Sequence, residues 1–181
     1  MKDKLVITGS SGVIGKVLTA GLKGEYDIYE INRGGEQSEK RFKCDIANFE
    51  ETKNVFAQIA SVPYIIHLAA DSNVEGPWES ILKNNIVGTR NVYECAKDIG
   101  VKKIVFASSN HITGGYEGFP PTLHQKVKPK LISVDDPIRP DSYYGTSKAF
   151  GETIARQFYE IWDVHSICLR IGSVTKDDDP T

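Results

Sequence analysis

One turn constrains this chain more than any other feature. Leu5-Val6-Ile7 is a short apolar run. Thr8-Gly9-Ser10-Ser11-Gly12-Val13-Ile14-Gly15 follows it and opens a helical stretch with Val13, Val17, Leu18 and Leu22 expected on one face. In a Gly-x-x-Gly-x-x-Gly turn between strand and helix, Gly9 permits the tight bend and Gly12 lets a diphosphate approach the backbone. Gly15 lets the helix lie close against the sheet. Free N–H groups and the helix dipole at the helix start favour phosphate oxygens. Ser11, Val13 and Ile14 join the three glycines as candidate dinucleotide contacts. The bland reading is a glycine-rich turn without a ligand.

The rest of the chain continues the alternation. Strands are expected at Asp27 to Ile31, Phe42 to Cys44, Tyr64 to Leu68, Lys103 to Ala107 and Val164 to Arg170. Helices are expected after an Asn48 cap, at Glu79 to Ile99 closed by Gly100, and at Tyr143 to Glu160. Short β-rich runs separated by amphipathic helices imply βαβ units. The expected fold class is α/β, a Rossmann-like doubly wound parallel sheet with helices on both faces. In such a sheet the strand ends Thr8-Gly9, Asp45, Ala69-Ala70-Asp71-Ser72 and Ser108-Ser109-Asn110-His111 converge on one crevice.

Composition narrows the function classes. The 181 residues carry a net charge of −2, so no basic surplus points to nucleic acid. No apolar run approaches the roughly 20 residues that span a bilayer, and no signal peptide is expected. Cys44, Cys95 and Cys168 are isolated and odd in number, which suits a reducing, cytoplasmic setting. No metal cluster is evident. The length suits a single domain over 1–181, with a loop-rich insertion at about 112–141 that holds most of the prolines. The tail from Lys176 to Thr181 reads as loop.

Tyr144-Gly145-Thr146-Ser147-Lys148 places Tyr144 and Lys148 at i and i+4, on one helix face. A free phenol titrates near 10, too high for a base at neutral pH. A nearby ammonium and a positively charged nicotinamide would favour phenolate. Tyr144 would then take a proton from a substrate hydroxyl, Lys148 would reach the nicotinamide ribose, and Ser109 would hold the same oxygen. Ser109 also has a plain reading as a strand-end cap.

The Gly-x-x-Gly-x-x-Gly turn together with Ser109, Tyr144 and Lys148 resembles the extended short-chain dehydrogenases/reductases, the NAD-dependent epimerase/dehydratase family. The resemblance implies that Asp45, in Cys44-Asp45-Ile46, holds the adenine, with Ile46 beside it. It implies that Leu68, Ala69 and Ala70 line the cofactor, and that Asn85 supports the active site and is itself a cofactor contact. Within the family, Ser108-Ser109-Asn110-His111 and Leu169-Arg170-Ile171-Gly172-Ser173 look most like uronate dehydrogenases and related sugar dehydrogenases. That likeness implies sugar contacts from Ser72, Ser109, Asn110 and His111. It also implies a guanidinium–carboxylate contact from Arg170, against the alternative that Arg170 pairs with an acidic side chain.

The implied reaction is hydride transfer from C1 of an aldose or hexuronate. Two other readings stand beside it: a nucleotide-sugar epimerase or dehydratase with tightly held NAD, and a non-catalytic nucleotide sensor. A sensor has no need of the Ser109–Tyr144–Lys148 set. The cofactor is NAD or NADP. At the end of the second strand, where an acidic residue grips the NAD ribose, stand Asn32 and Arg33, and Arg33 suits a 2′-phosphate. The resemblance further implies a homodimer through the helices at 79–99 and 143–160. Family members continue beyond the sixth strand, so the expectation here is a shortened substrate region.

Overall fold

The computed structural model describes residues 2–122 and 125–175, and the expected tail loop at Lys176 to Thr181 lies outside them. Six parallel strands form one sheet in the order β3-β2-β1-β4-β5-β6. The strands are β1 (Lys4–Thr8), β2 (Asp27–Asn32), β3 (Arg41–Lys43), β4 (Tyr64–His67), β5 (Lys103–Ser109) and β6 (His165–Ile171). The helices are α1 (Val13–Leu22), α2 (Phe49–Ile59), α3 (Trp78–Ile81), α4 (Gly88–Asp98) and α5 (Tyr143–Trp162). The chain order reverses at β1, so the crevice opens between the loops after β1 and β4.

One face of the sheet carries most of the core. Val6, Ile31, Ile65 and Ile104 alternate onto it and meet Phe56 and Ile59 of α2, Val92 and Tyr93 of α4, and Ile154 and Phe158 of α5. Asn48 caps α2 by accepting the Glu51 N–H, and Ser142 caps α5 by accepting the Gly145 N–H. At its far end α5 stops at Asp163, which takes a left-handed conformation.

Helix α1 differs from expectation. Val13 is 50% exposed and Val17 68%, so they do not form the packed face. The reason lies at Gly15, the one fully buried residue of the helix. A Cβ there would stand 2.5 Å from both the Gly9 carbonyl oxygen and Ser10 Cα. Backbone touching backbone sets the rotation of α1, and Val13 then faces the crevice instead of the sheet.

The expected long helix at 79–99 is interrupted. A six-residue π-helical segment, Leu82–Val87, joins α3 to α4, and the Gly88 N–H bonds back to Lys83 O. The wider turn directs Asn85 inward. Its Nδ2 donates to Asp71 O at 3.0 Å and Ser147 Oγ at 3.0 Å, and its Oδ1 accepts from Asp71 N at 2.7 Å. Asn85 thus ties the loop after β4 to the helix that carries Tyr144. Strand β5 runs two residues further than expected, which makes Ser109 its last residue, paired with Ile171.

Beneath the β1 turn lies a buried polar rail. His67 Nδ1 is 2.7 Å from Thr8 Oγ1, His67 Nε2 is 3.1 Å from Thr89 Oγ1, and Thr8 Oγ1 also accepts the Ala69 N–H. Burial, with Lys148 nearby, pushes the His67 imidazole down to about 3. The unfolded ring binds its proton near 6.5, so stability is fully present above that value and is lost as the pH falls. Going from about pH 7 to about pH 5 costs the fold up to about 2 kcal/mol through this ring. In urea titrations at those two pH values, His67→Gln loses distinctly less stability than wild type. Equal losses would contradict a neutral buried His67.

Candidate active site

Two cavities meet at the turn after β1 and share Gly9, Ser11, Ala69, Ala70 and Ser72. The first, about 370 Å³, is walled by Ile31, Asn32, Arg33, Cys44, Asp45, Ile46 and Asn84. The second, about 560 Å³, continues past Gly12, Val13, Ile14, Gly15 and Leu68 to Ser109, Asn110, His111, Tyr144 and Lys148, with Ile171 to Val174 on its far side. Together they make one trough across the carboxyl edge of the sheet.

The turn fits a dinucleotide in detail. Gly9 has a φ of +74°, and a Cβ on it would stand 2.7 Å from Ala69 N. A Cβ on Gly12 would meet only the Gly9 carbonyl oxygen, at 3.4 Å. Gly12 is therefore spacious toward the trough, where a diphosphate needs access to backbone N–H groups. Neither the fold nor a neighbour demands glycine at that position, whereas Gly9 and Gly15 are required by packing.

At the adenosine end, Asn32 lines the wall with its amide already committed. Its Oδ1 accepts the Ser11 N–H at 3.0 Å, and its Nδ2 donates to Ser10 Oγ at 2.7 Å. Ser10 in turn donates to Glu30, which Arg41 clamps from the other side. The one carboxylate of β2 near this end, Glu30, thus braces the turn from behind. Ser10, Glu30 and Arg41 are not among the site residues expected from the sequence, because their roles depend on which way β2 faces. Arg33 is exposed, with Nη1 at 3.3 Å from Asn84 Oδ1. Asp45 accepts its own loop's Ala47 N–H and pairs with Lys83 at 2.9 Å. Those two partners, with Arg33 nearby, hold its carboxyl below the ordinary value even though burial pulls it upward.

At the other end, Tyr144 and Lys148 stand on one face of α5, as the i, i+4 spacing requires. Lys148 is 5% exposed, donates to Ala107 O at 2.8 Å and lies 5.5 Å from the Tyr144 ring centroid. Burial lowers its ammonium to about 8. The Tyr144 phenol is pushed above its ordinary value by burial, and the Ser109 hydroxyl pulls it the other way. Ser109 also accepts the His111 N–H at 3.2 Å.

Two expected site residues lie elsewhere. Asn85 lines neither cavity, because its amide is spent on Asp71 and Ser147, so it supports the site from behind and does not touch the cofactor trough. Arg170 is turned to the α5 side of β6, away from the trough. Its Nε and Nη2 fork onto Glu152 at 3.1 and 2.9 Å, and Ser108 donates to the same carboxylate at 2.6 Å. Strand alternation decides this: Arg170 shares a face with Cys168 and Ser166. The acidic partner wins over a substrate carboxylate.

Comparison with known proteins gives the family. The model of the NAD dependent epimerase/dehydratase family matches residues 5–175. The chain belongs to that family. It is 32% identical over 188 residues to the NAD-dependent glucose-6-phosphate dehydrogenase of Haloferax volcanii, spanning 99% of this chain and 72% of that protein. It is 37% identical over 179 residues to the uronate dehydrogenase of Agrobacterium fabrum, spanning 96% of this chain and 62% of the relative. A mutant uronate dehydrogenase from Agrobacterium tumefaciens, solved with NAD, superposes with a TM-score of 0.82 at 31% identity, covering 97% of this chain and 63% of that one. The chain thus spans about 60% of the length of the uronate dehydrogenases it matches. Among the described residues no helix is long and apolar enough to cross a membrane, and no cluster of His, Cys, Asp or Glu has metal-binding geometry.

The contrast between glycines is testable by calorimetry and dinucleotide titration. Gly15→Ala lowers the melting temperature sharply. Gly12→Ala melts as wild type does but binds NAD at least about tenfold more weakly, because its new methyl group projects toward the trough. Equal affinity in Gly12→Ala would contradict the placement of the diphosphate.

Proposed function

We propose that this chain is the cofactor-binding and proton-transferring part of a sugar 1-dehydrogenase acting on an aldose or hexuronate with NAD or NADP. The observation that carries the proposal is the convergence of Ser109, Tyr144 and Lys148 on one end of the trough, with Asn110 and His111 beside them. The names of the relatives, which oxidise a glucose phosphate and uronates, support the substrate class.

In this reading Gly9 to Gly15 hold the diphosphate, Asp45 and Ile46 border the adenine, and Asn32 and Arg33 border its ribose. Arg33 suits a 2′-phosphate, which leaves NADP as acceptable as NAD. When bound, an oxidised nicotinamide would supply the hydride acceptor and a positive charge at this end of the trough. Tyr144, deprotonated to the phenolate, takes the proton from the C1 hydroxyl as the hydride leaves C1. Ser109 holds that hydroxyl in line, and Lys148, anchored on Ala107 O, holds its charge under the phenol. Ser72, Asn110 and His111 receive the remaining sugar hydroxyls. Ala69 and Ala70, small and half-buried, keep the floor of the trough clear for the cofactor. A homodimer belongs to the same proposal. Its support is exposed apolar surface at Leu82 and Val87 and at Tyr159 and Ile161 of α5.

The test is absorbance at the reduced-nicotinamide band with hexuronates, aldoses and sugar phosphates. It is run on this chain and on the longest product of its gene. Tyr144→Phe is expected to lose turnover by about a thousandfold or more while its NAD affinity stays within about threefold. Undiminished oxidation by Tyr144→Phe, or no oxidation of any sugar by either wild-type protein, would overturn the proposal.

A further inference from the structure

The loop-rich excursion leaves the site at His111 and returns to it at Asp141. Its two ends are laced together by backbone bonds: Arg139 N to Ile112 O at 2.9 Å, Gly115 N to Arg139 O at 2.7 Å and Asp141 N to His111 O at 3.3 Å. Side chains complete the lacing. His111 Nδ1 lies 2.6 Å from Asp141 Oδ2, and the Ser142 hydroxyl donates to Asp141 Oδ1 at 2.8 Å. Space for the carboxylate depends on a glycine, since a Cβ on Gly114 would collide with Asp141 Oδ2. The His111 ring stands edge-on to the Tyr144 ring, with centroids 5.7 Å apart, and lines the trough. Among the described residues, no hydrogen bond to its Nε2 is found.

We propose that Asp141 is a positioning residue that keeps the His111 proton on Nδ1 and so presents Nε2 to the trough as an acceptor for a sugar hydroxyl. The proposal rests on the functional reading given above. An ionised carboxylate only accepts, so an imidazole nitrogen at 2.6 Å from it must donate. In the neutral ring the other nitrogen then carries the lone pair. The orientation is fixed from behind as well. Ser142 Oγ accepts the Gly145 N–H, so its own proton points to Asp141 Oδ1 and leaves Oδ2 for His111. A site with one fixed acceptor discriminates between sugars that offer a hydroxyl there and sugars that do not. His111 thereby becomes a specificity element whose setting is held thirty residues away in the chain.

Asp141→Asn separates charge from shape. The Ser142 proton retains the amide oxygen, so the amino group faces His111 Nδ1. That nitrogen must now accept, and the ring proton moves to Nε2. Nitrogen-15 NMR of the histidine-labelled chain at about pH 8.5, well above the ordinary imidazole range, reads the tautomer, with His111→Asn identifying the signal. The expected result is an Nδ1–H ring in wild type and an Nε2–H ring in Asp141→Asn, with little change in melting temperature. In the longest gene product, Asp141→Asn is expected to raise KM for the sugar about tenfold while kcat changes less than about threefold. A wild-type ring protonated on Nε2 overturns the proposal without any variant. An unchanged tautomer in Asp141→Asn, or a switched tautomer with unchanged KM in an active enzyme, overturns it too. If wild type oxidises no sugar while the tautomer still switches, the functional reading falls, and the control of the His111 ring by Asp141 stands.

Discussion

The structure depends on how closely backbone can approach backbone where β1 turns into α1. Gly15 presses on the Gly9 carbonyl and Ser10, and Gly9 presses on the peptide of Ala69. These contacts rotate α1, bring the β1 and β4 loops together and leave Gly12 facing the trough. The turn is also braced by side chains from both sides. Thr8, His67 and Thr89 support it from beneath, and Ser10, Asn32, Glu30 and Arg41 hold its outer edge. A methyl group in the wrong place there would disturb the floor on which every later contact rests.

The opposite end of the trough is held by a different device. Lys148 spends one proton on Ala107 O and sits below Tyr144, while Asn85 and Ser147 lock the same helix to the loop after β4. Burial alone raises the phenol, which is the wrong direction for a base. The Ser109 hydroxyl works against that burial, and an oxidised nicotinamide, when bound, would add a positive charge that acts in the same direction. In the proposed reaction, Tyr144 would become the stronger base only with the oxidised cofactor bound.

Much of this was legible in the sequence because it rests on local chemistry. The glycine spacing, the Asn48 cap, the strand-ending small residues and the i, i+4 pair of Tyr144 and Lys148 each carry their own periodicity or turn requirement. The doubly wound parallel sheet follows from alternating elements and crossover handedness. What escaped depends on facing. Arg170 reads well as a carboxylate ligand in one dimension, yet strand alternation turns it onto Glu152. Val13 and Val17 have core-like periodicity, but Gly15 sets the helix rotation. Asn85 points inward because a π-helical turn, which no local signal announces, widens the helix beneath it. Asp141 meets His111 only because the intervening loop closes on itself. These are tertiary decisions, and neither propensity nor spacing encodes them.

The account makes C1 of the sugar the atom that loses hydride, and the most direct measurement follows that atom. A hexuronate deuterated at C1 is incubated with NAD and the longest product of the gene, and the reduced cofactor is weighed by mass spectrometry. The account predicts that the deuterium appears in the reduced nicotinamide and is missing from the oxidised sugar. Turnover that leaves the label at C1 would place the chemistry at another carbon and contradict the central claim.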